Sequence, residues 1–313
     1  MNLPIRIEKR SHVQFARLCL LLAIGCSRFS HASEGGQIHY PVGVNSIMDA
    51  ALPAPGETEL YIYTQYYESS RLNDAHGNSV DPGFRANVYA FVPRIVHTWK
   101  QTLGPFSLSS GAIVPLTSVN LQLFGRRDHS TGIGDPVVAP LYIDYINATG
   151  TFFAYAGPEI YVPVGTYDKN KLANNGLHYW TIAPTVSMTW LPTPRWEVSA
   201  TLYPEFNFKN QATSYRSGND VTLDWNVGWR PLASQPRLKV ALQGFAMTQY
   251  TDDSQNGQTV PGGNRGRAFG IGPQISWDIA DGRGALLLKY QREFAVENRT
   301  QGNRFWFEFA IPI

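Results

Sequence analysis

The sequence predicts an all-β fold: an antiparallel transmembrane β-barrel of about 12 strands, preceded by a cleaved N-terminal signal peptide. Composition gives the first indication, because 13% of the residues are aromatic and only 16% are charged, whereas a soluble domain carries about 25% charged residues. The second indication is a repeated alternation of apolar and polar residues. The third is a regular change between long and short connections along the chain.

Alternation with a period of two is clearest in the segments 181–190, 196–208 and 269–279. In the second of these, Leu202 and Phe206 belong to an apolar set that alternates with a polar set. Because successive side chains of a strand point to opposite faces, each segment has one apolar and one polar wall.

Segments of this kind are predicted to be the strands of the barrel. They are residues 59–67, 86–99, 106–115, 136–145, 151–164, 179–190, 196–208, 221–229, 238–247, 268–279, 285–296 and 304–311. Alternation is least regular in the second, third and fourth of them, and merging two of these would lower the strand count.

The predicted connections differ in length on the two sides of the barrel. The long ones are residues 68–85, 116–135, 165–178, 209–220 and 248–267, with a shorter one at 297–303; the short ones are 100–105, 146–150, 191–195, 230–237 and 280–284. Long external loops and short periplasmic turns are typical of outer-membrane barrels. Five tryptophans beside the short turns predict an aromatic girdle there: Trp99, Trp190, Trp196, Trp229 and Trp277.

The alternative fold is a soluble β-sandwich or lipocalin-like barrel, whose apolar face would point inward. Here the apolar face is large and aromatic, while the opposite face carries acids, lysines and glutamines on many segments. Lipid is therefore the simpler solvent for the apolar wall, and the predicted location is the outer membrane of a Gram-negative bacterium.

Residues 1–32 are predicted to be a signal peptide, with basic residues before an apolar run at 18–25 and Ser30-His31-Ala32 as the cleavage pattern. Lipidation at Cys26 is the alternative. Both cysteines of the sequence lie in this leader, which excludes disulfides and thiolate metal sites from the mature chain. After the leader no apolar stretch reaches the roughly 20 residues of a spanning helix, so a helical bundle is excluded.

Residues 33–57 are too irregular for a strand and include a small apolar patch with Ile47 and Met48. Our hypothesis is that this segment folds into the lumen as a plug, ahead of a barrel formed by residues 58–313. A disordered periplasmic tail is the alternative.

If the apolar faces contact lipid, the polar faces line the lumen. The lumen-facing candidates for a substrate path are Tyr63, Arg94, Tyr155, Glu159, Tyr161, Glu197, Tyr203, Glu205, Asp224 and Lys239. In one interpretation the charges pair with each other and fill a narrow barrel. In the other, tyrosines present flat apolar faces and hydroxyls to a small aromatic solute.

An enzyme is also considered, because twelve-stranded outer-membrane phospholipases exist and use a serine within hydrogen-bond reach of a histidine. His129 and Ser130 are adjacent, which would put them on opposite faces of a strand, and we assign them to a loop. We therefore predict no catalytic residue, cofactor or metal. A formal net charge of +2 is too small to indicate nucleic-acid binding.

The C-terminal segment alternates aromatic and other residues, with Phe305, Phe307 and Phe309 on one face. Many outer-membrane proteins end in such a strand, which the barrel-assembly machinery reads. This machinery, outer-membrane lipid and lipopolysaccharide are the expected partners, together with a small hydrophobic solute.

Several motifs occur in a characteristic order: His39-Tyr40-Pro41-Val42-Gly43, Pro53-Ala54-Pro55-Gly56, Gly132-Ile133-Gly134-Asp135, and a stretch from Gly157 to Asp168. Together they resemble the family of outer-membrane transporters named for the meta pathway of phenol degradation, over most of the mature chain. The resemblance implies a porin-like barrel through which small hydrophobic or aromatic compounds diffuse passively. A barrel without transport, acting as a surface-interaction protein or an enzyme, is the alternative.

Overall fold

The computed structural model describes residues 37–46, 48–80 and 83–313. The predicted signal peptide and the plug candidate Ile47 lie outside these residues. Within the described ranges, no helix is both long and apolar enough to cross a membrane.

The described residues form β-strands and one short 3-10 helix. The strands are β1 (Thr58–Asn73), β2 (Ser79–Val80), β3 (Arg85–Leu103), β4 (Phe106–Ile113), β5 (Leu116–Leu123), β6 (Arg126–Ile133), β7 (Val137–Ile146), β8 (Phe152–Tyr161), β9 (Thr181–Thr193), β10 (Trp196–Asn207), β11 (Tyr215–Arg216), β12 (Asp220–Trp229), β13 (Leu238–Gln249), β14 (Ser254–Gln255), β15 (Gln258–Thr259), β16 (Arg267–Ile279), β17 (Gly284–Glu297) and β18 (Thr300–Pro312); the 3-10 helix is Ala280–Gly282.

Twelve of the described strands close into one antiparallel barrel, as predicted. Around the ring they follow the order β1, β3, β4, β7, β8, β9, β10, β12, β13, β16, β17 and β18. The ring closes because β1 pairs with β3, where Thr58 lies opposite His97, and with β18, where Glu59 lies opposite Pro312. Closure pairs the edges that an open sheet would leave exposed.

The two ends of the barrel differ, again as predicted. At one end, here called the short-turn end, the connections are residues 104–105, 147–151, 194–195, 230–237 and 280–283. At the other, the long-loop end, residues 162–180, 208–219 and 250–266 form long excursions, and the last two carry a small sheet of β11, β14 and β15.

The prediction of a loop over residues 116–135 is wrong. Residues 116–133 form the hairpin β5–β6, in which Leu116 lies opposite Ile133, and β3 pairs with β4 and then β5 in succession. The hairpin therefore follows β4 along β3 towards the long-loop end. The break at Pro115, which has no N–H to donate, and the polar composition of the hairpin concealed this continuity.

His129 and Ser130 consequently lie in β6 and not in a loop, which corrects their assignment. Their side chains do lie on opposite faces, because His129 is exposed while Ser130 is buried and donates a hydrogen bond to Asn175. A strand thus separates the serine and histidine side chains that a nucleophilic mechanism would need together.

The outer surface of the barrel is apolar. Along β9 and β10, Val186 and Leu202 are 50% and 45% exposed, whereas the intervening Thr185, Ser187 and Thr201 are buried. The apolar face therefore points outward, as lipid requires, and the soluble alternative with an inward apolar face is wrong.

The predicted tryptophan girdle is present at the short-turn end. Trp99, Trp190, Trp196, Trp229 and Trp277 are all exposed on the outer surface. Trp196 and Trp229 lie opposite each other on β10 and β12, with their rings stacked at 6.0 Å. Amphipathic indoles are favoured at the boundary between lipid and water.

Candidate functional site in the barrel lumen

The described part of the N-terminal segment runs through the interior of the barrel. At the long-loop end, the ring of His39 forms hydrogen bonds with Thr181 (2.8 Å) and Asp135 (3.0 Å). Towards the short-turn end, the N–H of Met48 donates to Glu197 at 2.7 Å. The segment then leads into β1, which begins at the short-turn end.

Asp224 of β12 holds the middle of this segment. Its carboxylate accepts hydrogen bonds from the Tyr40 hydroxyl (2.6 Å) and from the backbone N–H groups of Gly43 (2.9 Å) and Asn45 (3.0 Å). Hydrogen bonds to an ionised acceptor are about twice as strong as neutral ones. Asp224 therefore fixes a turn that contains no helix or strand of its own.

Strand β17 also holds this turn. Lys289 donates to the carbonyl of Val44, and Gln291 donates to the carbonyl of Gly43 at 3.0 Å. Gly43 has a φ of +80°, and a Cβ there would lie 2.3 Å from the Gln291 side chain. Both the left-handed backbone and the close approach require glycine at this position.

Asp135 organises the long-loop end of the lumen. Besides His39, it accepts hydrogen bonds from the N–H groups of Gly165 (2.9 Å) and Leu177 (2.6 Å). Burial alone would raise the pKa of Asp135, but these hydrogen bonds and the histidine hold it below its ordinary value. Burial also lowers the pKa of His39, against the opposing effect of Asp135.

A chain of tyrosines and one glutamate lines the wall from β7 to β10. Glu159 accepts hydrogen bonds from the hydroxyls of Tyr142 and Tyr203, both at 2.6 Å. The Tyr203 hydroxyl lies 2.9 Å from that of Tyr161, and the ring of Tyr40 stacks on the ring of Tyr203 at 3.9 Å. The N-terminal segment is therefore packed against this wall as well as hydrogen-bonded to it.

A cavity of about 430 Å³ lies at the short-turn end, between the N-terminal segment and the wall. Its lining includes Asp49 from the segment and Arg94 from β3. Burial raises the pKa of Asp49 to about 8. The Lys239 ammonium on the far wall lies 3.3 Å from Glu197 and 3.5 Å from Asp278. Both charged and apolar groups thus meet the cavity.

The structure places every predicted lumen residue on the inner side of the barrel. Nine are buried and Tyr63 is half-buried: Tyr63, Arg94, Tyr155, Glu159, Tyr161, Glu197, Tyr203, Glu205, Asp224 and Lys239. They fall into a tyrosine-rich group around Arg94 and Glu159, an acidic pair that holds the N-terminal segment (Glu205 and Asp224), and the Glu197–Lys239 ion pair. Their assignment to a substrate path stays a prediction.

Sequence reasoning did not select Tyr142, Asp135, His39, Tyr40 or Asp49. Tyr142 lies in β7, where the pairing with β8 shifts register between Val138 and Ile143, so the alternation there is broken. His39, Tyr40 and Asp135 belong to the motifs that carry the family resemblance, and these motifs were the sequence signal that could have identified them. In the described part of the chain, no group of three or more His, Cys, Asp or Glu side chains could hold a metal ion.

Comparison with solved structures supports the fold. An outer membrane channel of the COG4313 group from Pseudomonas putida F1 superposes with a TM-score of 0.75 at 14% identity, covering 85% of this chain and 98% of the other. The β domain of the Bordetella autotransporter BrkA gives a TM-score of 0.51 at 11% identity, covering 83% and 100%. Among curated proteins, no sequence match is found.

The sequence model of the family described as "Putative MetA-pathway of phenol degradation" matches residues 69–309. This range includes most of the barrel and two of the four motifs from which the resemblance was inferred, and it exceeds half of the chain. Together with the closed barrel and its apolar outer surface, the match places the protein in the outer membrane, and the chain belongs to this family.

Proposed function

We propose that this barrel is an outer-membrane channel through which small hydrophobic or aromatic compounds cross by passive diffusion. The observation that carries the proposal is the wall of inward-facing tyrosines, which continues into the cavity at the short-turn end. Tyrosine rings offer a solute flat apolar contact, and their hydroxyls offer hydrogen bonds. Family membership supports the same solute class.

The N-terminal segment is proposed to be a plug that closes the path when it is docked. In this state its backbone and side chains form hydrogen bonds with strands β9, β10, β12 and β17, through Thr181, Glu205, Asp224 and Gln291. A solute that enters at the long-loop end would therefore meet the segment before it reached the cavity. Short turns face the periplasm in this class of barrel, so the cavity would be the inner end of the path.

Single-channel recording in planar bilayers tests both parts of this proposal. Deletion of residues 36–52 is expected to raise the conductance, because it removes the groups that fill the lumen. Conductance unchanged by the deletion would contradict the plug.

A second measurement addresses the solute. Gram-negative cells that express the protein should take up a labelled neutral aromatic hydrocarbon faster than cells without it. A folded barrel that gives neither conductance nor uptake would contradict the channel and favour a barrel without transport.

A further inference from the structure

Arg94 is a buried cation that lacks a counter-ion. Its side chain is only 7% exposed, and its Nε has no hydrogen-bond partner. The two terminal nitrogens donate long hydrogen bonds, both of 3.4 Å, to the hydroxyls of Tyr63 and Tyr142. In the part of the chain that the structure describes, no carboxylate oxygen lies within 4 Å of the guanidinium.

Two acids that interact electrostatically with Arg94, Glu59 and Glu159, are engaged by tyrosines. Glu59 accepts the hydroxyl of Tyr61 at 3.0 Å. Glu159 accepts the hydroxyls of Tyr142 and Tyr203, one on each oxygen. The carboxylates that balance the charge of Arg94 thus bind tyrosine hydroxyls and do not bind the guanidinium directly. The guanidinium can therefore bind another anion.

The surroundings of Arg94 also select the shape of a ligand. The guanidinium carbon lies 5.3 Å from the ring centre of Tyr61 and 5.8 Å from that of Tyr142. Arg94, Tyr61 and Tyr63 all line the cavity of about 430 Å³, whose wall on the N-terminal segment includes the apolar Met48 and Leu52. Around Arg94 the cavity therefore offers a guanidinium together with aromatic and aliphatic contact surface. Its lining also includes the basic residues Arg195, Arg230, Lys239 and Arg283 and acids such as Asp49 and Glu59.

We propose that Arg94 forms an anion subsite in this cavity that binds the carboxylate of a small aromatic acid. The planar guanidinium matches a carboxylate in a two-pronged hydrogen bond, and the tyrosine and aliphatic walls accept the ring. A neutral solute would leave the charge of Arg94 buried and unpaired, which is costly. This inference rests on the proposed function, since it places the subsite at the inner end of the solute path.

Binding of benzoate, compared with its neutral isostere benzamide, tests the subsite in the purified, folded full chain by calorimetry. We expect benzoate to bind the unmodified protein at least about tenfold more tightly than benzamide. Arg94→Gln should weaken benzoate binding by about tenfold or more and abolish the preference. The matched control is Arg283→Gln, because Arg283 lines the same cavity but is largely exposed; it should leave benzoate binding unchanged.

The outcomes are separable from those of the channel proposal. Equal binding of benzoate and benzamide to the unmodified protein would overturn the subsite without any variant, even if Arg94→Gln failed to fold. Equal weakening by Arg94→Gln and Arg283→Gln would overturn it too. If the unmodified protein took up no neutral hydrocarbon, the proposed channel would fail, whereas the calorimetric comparison would still decide whether Arg94 binds the anion.

Discussion

Three carboxylates inside the barrel each hold several donors. Asp224 accepts three hydrogen bonds from the N-terminal segment, Asp135 gathers His39 and loop amides, and Glu159 takes two tyrosine hydroxyls. A buried carboxylate of this kind stabilises an irregular backbone conformation, because it loses strong hydrogen bonds if the donors move away. Single acids thus determine the conformation of a segment that has no strand or helix of its own.

Replacing Asp224 should release the N-terminal segment. Asp224→Asn removes the charge and replaces one of the two accepting oxygens by an amide donor, so either Gly43 or Asn45 loses the acceptor of its N–H group. Docking should therefore lose about 2 kcal/mol. The expected result is a larger open fraction in single-channel recordings. Asp278→Asn is the matched control, because Asp278 pairs instead with Arg230 and Lys239; an equal effect of both substitutions would contradict the anchoring role of Asp224.

The buried carboxyl of Asp49 should make docking depend on pH. Burial raises its pKa from 3.8 to about 8, so the docked state prefers the protonated form. Docking is therefore strongest below pH 3.8, weakens as the pH rises towards about 8 and then changes no further. In Asp49→Asn the side chain stays neutral, and this dependence should disappear.

The measurement is the open fraction between about pH 5 and pH 9 for the unmodified protein and for Asp49→Asn. Because His39 and the other titrating groups are present in both proteins, the difference between the two curves isolates Asp49. A difference that does not change across this range would contradict the assignment.

Among the elements, the hairpin β5–β6 and residues 162–180 form one unit at the long-loop end. The carboxylate of Asp128 accepts hydrogen bonds from the N–H groups of Leu172 and Ala173, and the Asn175 amide donates to the carbonyl of Thr117 at 2.9 Å. The hairpin consists mostly of polar residues and lacks the clean apolar alternation of the other strands. Sequence reasoning, which depends on lipid on one side, could not identify it as strands.

The backbone of Gly165 lies close to Gly134 and Asp135, so adding a methyl group at Gly165 should disturb this unit. A Cβ at Gly165 would lie 2.7 Å from the backbone carbon of Gly134 and 2.8 Å from a carboxylate oxygen of Asp135. Gly165→Ala should therefore destabilise the loop by about 1–3 kcal/mol and speed hydrogen exchange at the amide of Leu177. Gly228→Ala is the control, since its Cβ would make only ordinary contacts; similar exchange in both variants would contradict the close packing.

For the whole molecule, the sequence was informative wherever lipid faces one side of a strand. The alternation of residues such as Val186 and Leu202 with buried polar neighbours reports an environment that is uniform around the ring, so the strands, their number and their inner faces could be predicted. The lumen has no such uniform solvent. The positions of Arg94, Asp135 and Tyr142 relative to the N-terminal segment depend on contacts between distant parts of the chain, which a local pattern does not contain.

The lipid-facing surface gives a prediction about the stability of the barrel. Leu202 lies in the middle of β10 and is 45% exposed. Leu202→Arg should cost about 2–4 kcal/mol, as expected for a cation near the centre of the bilayer, whereas Leu232→Arg in a short turn should cost about 1 kcal/mol or less. Heat-modifiable migration and urea unfolding in lipid vesicles measure both. Equal costs would contradict the membrane placement.

The N-terminal segment precedes every barrel strand in the sequence, yet many of its hydrogen-bond partners lie in strands far along the chain. Gly43 accepts a hydrogen bond from Gln291 across a separation of 248 residues, and Ala50 donates to Thr189 across 139. Contacts of such separation are slow to form, and these anchors require strands that are already paired. The ring should therefore assemble around a segment that is still unbound, and docking should follow as a separate, slower kinetic phase.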